Sequence, residues 1–129
     1  MRAAPGSGAR GKGVHELSIA QRMVETLLQT AARSGGGRVA SARLLLGELT
    51  CVEPETLTFA FDVSCRGTAA EGCRLDIVRV PVRLRCPACG AEGEGDPYQP
   101  CAACGGVGFE VLAGREIRLD TMDLDEGTK

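Results

Sequence analysis

The chain has 129 residues, a formal net charge of −2 and 43% hydrophobic residues, which fits one domain or one small domain with an appended module. Only 3% of the residues are aromatic, so a core has to be built from Leu, Val, Ile and Ala. The negative charge argues against a general nucleic-acid binder held by phosphate contacts. No apolar run is long enough to span a membrane, and the basic first residues lack the apolar stretch of a secretory signal.

Residues 1–13 form a leader with a composition of its own. They carry three positive charges (Arg2, Arg10 and Lys12) and show no periodic apolar pattern, so the sequence predicts that they are disordered. Seven cysteines in a chain without a secretion signal indicate the reducing cytoplasm, where thiols bind metal rather than form disulfides.

The first half of the chain predicts two helices with a strand between them. Apolar residues recur at helical spacing from Leu17 onward, which predicts a helix from Ser18 to Arg33. Ser18 and Gln21 match a capping box, in which each side chain satisfies a free backbone donor of the first turn. Arg38–Glu48 is aliphatic enough for a strand, and Pro54 opens a second helix that Gly67 closes.

The second half of the chain predicts strands around a cysteine-rich insert. Residues 73–85 alternate as one long strand, in which Pro81 indicates an edge or a bulge. Residues 107–124 predict a strand, a turn at Ala113–Gly114 and another strand. The fold class expected is therefore α+β: a small mixed three-stranded sheet with two helices, plus an inserted four-cysteine zinc ribbon.

The domain boundaries follow from these elements. Residues 14–84 and 107–124 are expected to form the α/β domain, and residues 85–106 the zinc-binding insert. Residues 125–129 are expected to form a flexible tail.

Two Cys-x-x-Cys pairs, "CPACG" at 86–90 and "CAACGG" at 101–106, are the most specific motif. In each pair, two thiolates can turn toward one ion, and the following glycine lets the backbone aim amides at the sulfurs. Four thiolates at tetrahedral vertices suit Zn²⁺. We therefore predict a structural zinc site, with the ligands Cys86, Cys89, Cys101 and Cys104.

Two other uses of these cysteines are weaker. Sulfur ligands also suit iron, and "CPxCG" occurs in rubredoxin-like sites. Two separate redox dithiols would each be expected at the start of a helix that lowers a thiol pKa, and Gly90 and Gly105 do not resemble helix starts. The remaining cysteines, Cys51, Cys65 and Cys73, lack ligand spacing and are predicted to be small buried hydrophobic residues.

His15, the only histidine, is followed at once by Glu16. Taken alone, a single histidine ahead of a helix is more often an exposed residue than a site. Glu16 alone is equally well explained as a favourable charge near a helix N-terminus.

Five stretches, taken together, favour a functional role for His15 and Glu16, because they resemble the hydrogenase maturation nickel-insertion family (HypA/HybF). The resemblance runs from Val14 to about Leu124 and includes the second cysteine pair. The join of "HELSIAQ" at one end to "VPVRLRCPACG" in the middle of the chain makes it specific. The stretches are "HELSIAQ" at 15–21, "GEL" at 47–49, "VEPETLTFAF" at 52–61, "LDIVRVPVRLRCPACG" at 75–90 and "GREIRLDTMDL" at 114–124.

The resemblance implies a nickel metallochaperone for [NiFe]-hydrogenase. It implies that His15 and Glu16 bind nickel and that the two cysteine pairs bind zinc. An imidazole nitrogen with adjacent backbone nitrogens can give the tetragonal field that suits Ni²⁺. Glu53 is a further candidate oxygen ligand, although a position next to a helix N-terminus explains it as well.

The resemblance also implies partners. Family members work with the [NiFe]-hydrogenase large subunit precursor and with a nickel-binding GTPase maturation factor, and some serve urease together with urease maturation factors. No nucleic acid and no membrane is expected as a partner.

The chain departs from the family at Val14, where the family begins with a methionine whose amine helps to hold nickel. A GTG codon encodes valine inside a gene but starts translation with methionine. The Ala-, Gly- and Arg-rich composition fits a GC-rich genome, in which such starts are common. We therefore expect translation to begin at residue 14, so that residue 14 becomes a further nickel ligand.

The function predicted is that of a cytoplasmic nickel-delivery protein that is not an enzyme. The main alternative is a zinc-ribbon module that binds nucleic acid or a transcription partner, which would need a basic face with aromatic residues near the knuckles. The insert instead carries Glu92, Glu94 and Asp96. The second alternative, a thiol oxidoreductase, predicts reactive rather than metal-masked thiols.

Overall fold

In a computed structural model of the chain, residues 8–125 are described, with side chains from residue 15 onward. Two helices and six short strands follow one another in this part. They are α1 (Gly8–Arg33), β1 (Arg38–Gly47), α2 (Pro54–Cys65), β2 (Arg74–Val80), β3 (Arg83–Arg85), β4 (Glu92–Glu94), β5 (Glu110–Ala113) and β6 (Ile117–Asp125), with a 3-10 turn at Glu48–Thr50. The predicted α+β class is confirmed.

The first helix begins earlier than predicted. It starts at Gly8 rather than at Ser18, so Ser18 and Gln21 are exposed interior positions and the predicted capping box is wrong. Extending an existing helix adds a hydrogen bond for each residue without a new nucleation step, so a polar segment can continue it. Residues 8–13 of the predicted disordered leader are therefore helical, whereas residues 1–7 lie outside the described residues.

The core of the helical layer is aliphatic, as the low aromatic content requires. One face of α1 is buried at helical spacing and packs against α2. Pro54 opens α2, as predicted, since a proline needs no amide partner in the first turn. The buried side chains of the two helices are Ala20, Met23, Val24, Leu27 and Ala31 of α1 and Leu57, Ala60, Phe61 and Cys65 of α2.

The strands form two three-stranded sheets. The first has the order β2-β1-β6 and corresponds to the predicted sheet that accompanies the two helices. Ser41 of β1 donates a hydrogen bond to Asp123 of β6 at 2.9 Å, and Arg43 of β1 contacts Asp76 of β2 at 3.2 Å. The long strand predicted over 73–85 is interrupted at Pro81, which cannot donate a ladder hydrogen bond.

The second sheet, β4-β3-β5, was not predicted. β3 pairs antiparallel with both neighbours, so that Leu84 lies opposite Gly93 on one side and Val111 on the other. A register shift between Arg83 and Leu84 interrupts the pairing with β5.

The described residues divide into two compact units. One holds the residues up to Leu44, Val52–Ile77 and the residues from Leu119 onward, and we call it the helical unit. The other holds Leu45–Cys51 and Val78–Arg118, and we call it the cysteine unit. The cysteine unit is therefore larger than the predicted insert, 85–106, because β3 and β5 on either side of that insert pair within this unit. Asp125 of the predicted tail ends β6, and residues 126–129 lie outside the described part.

No helix within the described residues is both long enough and apolar enough to cross a membrane.

Candidate metal centres

The four predicted zinc ligands meet in the cysteine unit. Their Sγ atoms all lie within 4.8 Å of one another. The Sγ atoms of Cys86 and Cys104 are 3.6 Å apart, and those of Cys89 and Cys101 are 3.8 Å apart. A tetrahedron with Zn–S bonds of about 2.3 Å has sulfur–sulfur edges of about 3.8 Å. The sulfurs are therefore already spaced for one tetrahedral ion, and the site fits zinc.

Each cysteine pair is closed by the glycine that follows it. Gly90 donates its amide to the carbonyl of Cys86 at 2.7 Å, and Gly105 donates to the carbonyl of Cys101 at 2.7 Å. Both glycines have positive φ, +78° and +77°, a conformation that residues with a side chain rarely adopt. The glycines predicted to permit the knuckle backbone are thus required by the turn itself.

Three thiols of the cluster, those of Cys86, Cys101 and Cys104, have shifted pKa values. The backbone amide of Cys89 lowers the pKa of Cys86 to about 7, and the backbone amide of Cys104 lowers the pKa of Cys101. The Gly106 amide has the largest single effect on Cys104 and lowers its pKa, but hydrogen bonds with the other three cysteines, together with burial, outweigh it and raise this pKa to about 11. Amides directed at the sulfurs favour thiolates, which are the form that binds metal.

The other three cysteines do not behave alike. Cys65 and Cys73 are buried, as predicted, but Cys51 is exposed, and that part of the prediction is wrong. Cys51 follows the 3-10 turn with a φ of +59°, in the left-handed region. A turn at this point carries the side chain to the surface, which residue type alone does not reveal.

The predicted nickel residues lie in the first helix of the helical unit. His15 is exposed, whereas Glu16 is completely buried. The Oε2 atom of Glu16 accepts a hydrogen bond of 2.8 Å from the backbone amide of Glu53. The Oε1 atom is buried and has no hydrogen-bond partner among the described residues. Glu16 therefore joins the first helix to the start of the second one.

The two weaker nickel candidates have different positions. Glu53 is exposed and is the N-cap residue of α2, and its backbone rather than its carboxylate is the group that contacts Glu16. Residue 14 is helical in the structure, and its side chain lies outside the described side chains.

Sequence reasoning missed two glycines that matter to the cysteine unit. Gly106 packs against the sulfurs of Cys104 and Cys86. Gly47 lies so close to Gly114 that a side chain would overlap the Gly114 carbonyl. Both positions are visible in the sequence, as the second glycine of "CGG" and the glycine of "GEL". A glycine in a sequence does not reveal which atoms pack against it in the fold, so neither contact could be predicted.

The fold and the cysteine cluster define a small α+β metal-binding protein whose four-thiol site fits zinc. A model of the family described as "Hydrogenase/urease nickel incorporation, metallochaperone, hypA" matches residues 14–124. The chain belongs to this HypA family of nickel metallochaperones, and the resemblance found in the sequence is confirmed.

Individual relatives agree with this assignment. A protein of Geobacter metallireducens named "Hydrogenase maturation factor HypA" is 40% identical over 113 residues, which cover 87% of this chain and 100% of that protein. A protein of Streptomyces avermitilis with the same name is 36% identical over 117 residues, or 88% of this chain and 89% of that protein.

Two solved structures share the fold. The first, "Solution structure of the Ni metallochaperone HypA from Helicobacter pylori", has a TM-score of 0.64 at 20% identity and covers 84% of this chain and 96% of its own. The second, "Solution structure of HypA protein", has a TM-score of 0.68 at 20% identity and covers 86% and 96%.

Proposed function

We propose that this protein binds Ni²⁺ at its His15–Glu16 segment and delivers it during the maturation of [NiFe]-hydrogenase. The observation that carries the proposal is that the only histidine of the chain is exposed, on a segment that the neighbouring Glu16 holds against α2. An accessible imidazole on an anchored backbone can take up an ion and also release it, as a donor must.

Within this proposal, the imidazole of His15 is the principal ligand. Nitrogen ligands suit Ni²⁺, and in a form that starts at residue 14 the first-turn backbone nitrogens next to His15 complete a tetragonal set. Glu16 contributes its negative charge, and one of its carboxylate oxygens is bonded to the Glu53 amide. The amine or amide of residue 14 and the exposed carboxylate of Glu53 are the weaker ligands in this proposal.

The four-cysteine centre has a structural role in this proposal. Zinc there would hold the knuckles together, and a closed set of four thiolates leaves no position for a substrate. The protein therefore acts by carrying metal rather than by catalysis. The alternative as a nucleic-acid module would need a basic face near the knuckles, but the insert carries Glu92, and Arg85 beside it is paired with Glu92 at 3.5 Å and with Glu110 at 2.6 Å.

The partners proposed are those of nickel delivery. They are the precursor of the hydrogenase large subunit, a nickel-binding GTPase maturation factor and, where the host makes urease, the urease maturation factors. We place the protein in the cytoplasm because its seven thiols need a reducing compartment to stay available for metal.

The test is a nickel titration of purified protein. In the His15→Ala variant, the nickel affinity should fall by about 100-fold or more, because loss of a metal ligand costs at least as much as loss of a residue that supports one. The zinc content and the helical circular dichroism should stay unchanged, since His15 is exposed. Unchanged nickel affinity would show that nickel binds elsewhere.

Two further variants separate charge from position. Glu16→Gln keeps the size and the acceptor oxygen but removes the charge, so nickel binding should weaken without loss of fold. Glu25→Gln is the matched control, because Glu25 is an exposed glutamate of the same helix. An equal loss of nickel affinity in both variants would show that Glu16 acts only through its negative charge and not through its position.

A further inference from the structure

The two knuckles of the cysteine unit have the same turn and differ in sequence at two positions, Pro87 against Ala102 and Ala91 against Gly106. In the first knuckle, Cys86 donates its amide to the carbonyl of Ala91 at 2.9 Å. In the second knuckle, Cys101 donates to the carbonyl of Gly106 at 2.8 Å. Equivalent positions of the two turns therefore carry alanine at 91 and glycine at 106, and the backbone hydrogen bond does not explain the difference.

The atoms around Gly106 explain why this position carries glycine rather than alanine. Its amide donates to the Sγ atom of Cys104 at 3.4 Å. A Cβ atom at this position would lie 3.3 Å from the same sulfur, 3.6 Å from the Cβ atom of Ala88 and 3.7 Å from the Sγ atom of Cys86. A methyl group would thus press on the sulfur of Cys104, whereas its contact with the sulfur of Cys86 would be an ordinary one.

Space rather than backbone conformation requires glycine here. Gly105 has a φ of +77°, so any substitution of Gly105 would strain the turn directly. Gly106 is not among the positive-φ positions, and an alanine could adopt its backbone. A substitution at Gly106 therefore tests the contact with the sulfurs and little else.

We propose that Gly106 is a positioning residue of the metal centre, and that its lack of a side chain lets Cys104 reach the metal while its amide supports the thiolate. Relieving a 3.3 Å contact moves the sulfur by a few tenths of an ångström. Zn–S bonds stay close to about 2.3 Å, with a tolerance of about 0.2 Å. The displacement of the Cys104 sulfur is therefore large enough to weaken zinc binding. This proposal does not depend on the nickel site.

The experiment compares Gly106→Ala with Gly93→Ala in the full chain. Gly93 lies in β4 of the same unit, and a Cβ there would meet nothing within 4 Å. The zinc affinity of Gly106→Ala, measured by competition with a chromophoric chelator, should fall about 10- to 100-fold, as for other residues that orient metal ligands. The affinity of Gly93→Ala should equal that of the unaltered protein.

Replacement of zinc by Co²⁺ gives a second readout that a merely structural role would not change. The absorption bands of tetrahedral cobalt thiolate respond to the shape of the sulfur set, so they should shift in Gly106→Ala and not in Gly93→Ala. Unaltered affinity together with an unaltered cobalt spectrum in Gly106→Ala would overturn the proposal. So would failure of this variant to fold at saturating zinc, because a mispositioned ligand is rescued by excess metal and a broken fold is not.

Discussion

At the scale of single residues, the three cysteines outside the cluster predict a pattern of thiol reactivity. Burial raises the pKa of Cys65 to about 12, from 9.0, and burial also raises the pKa of Cys73. Cys51 is exposed. Since the thiolate is the nucleophile, zinc-loaded protein at pH 8 should show one fast thiol, and Cys51→Ser should remove it. Alkylation followed by mass spectrometry checks this, and fast labelling of Cys65 in the native state would contradict it.

The raised pKa of Cys65 also has a consequence for stability. A thiol that stays protonated in the folded state stabilises the fold fully below pH 9.0, the pKa of an unperturbed thiol. This contribution is lost as the pH rises from 9.0 toward about 12. The fast thiol count should therefore grow at alkaline pH as the helical unit opens.

The sequence singled out the four cysteines that cluster in the structure, because Cys-x-x-Cys spacing is a local property. It did not show that Glu16 is buried while His15 is exposed. That difference depends on the rotational phase of α1 and on the contact between Glu16 and Glu53, 37 residues apart. Cys51 was misjudged for a similar reason, because a turn rather than a residue type sets its exposure.

At the scale of elements, the segment that follows β1 depends on Gly47. The Gly47 amide donates to the carbonyl of Glu116 at 2.7 Å, and the Leu49 amide donates to the carbonyl of Gly114 at 2.8 Å. Both bonds need the close approach that a side chain at 47 would prevent. Gly47→Ala should therefore destabilise the cysteine unit by roughly 1–3 kcal/mol, the usual cost of overpacking.

Amide hydrogen exchange provides the measurement for Gly47→Ala. Protection of the amides of residues 47 and 49 from exchange should decrease, because their two hydrogen bonds form only when this segment lies close to residues 114 and 116. Gly93→Ala again serves as the control. Full protection in Gly47→Ala would show that the segment can move aside without losing its bonds.

The elements that were predicted correctly have strong local signals. Pro54 marks the start of α2, and the turn at Gly114, with a φ of +118°, separates β5 from β6. β4 has only three residues, "EGE", with no apolar alternation, so its strand exists because β3 pairs with it. Short strands of this kind are specified by their partners rather than by their own composition.

At the scale of the whole molecule, the sequence carries a signal for each of two units but none for where each unit ends. The cysteine pairs indicated a separate module, and the aliphatic periodicity indicated a helical one. The cysteine unit also takes in Leu45–Cys51, which is distant in sequence from Val78–Arg118. Backbone hydrogen bonds from 47 and 49 to 116 and 114 hold that segment there, and such pairings leave no pattern in the sequence.

The length of the chain ahead of His15 should control nickel binding. In the form described here, α1 begins at Gly8, so His15 and Glu16 lie beyond the first helical turn. Their amides are then positioned to bond carbonyls four residues earlier and are poorly available to a metal. In a form that starts with methionine at residue 14, the same amides belong to the first turn and have no intrahelical acceptor.

The shorter form also places an α-amine, with a pKa of about 7.7–8.0, next to His15. It should therefore bind nickel more tightly than the full chain, most clearly near neutral pH, where a peptide amide is hardest to deprotonate. Acetylation of the shorter form separates the two causes, since it blocks the amine but leaves the first-turn amides free. Calorimetric titrations of the three forms provide the comparison, with His15→Ala in each as the background. Equal nickel affinity in all three would exclude both the amine and the first-turn amides as ligands and leave the imidazole to hold the ion with side chains alone.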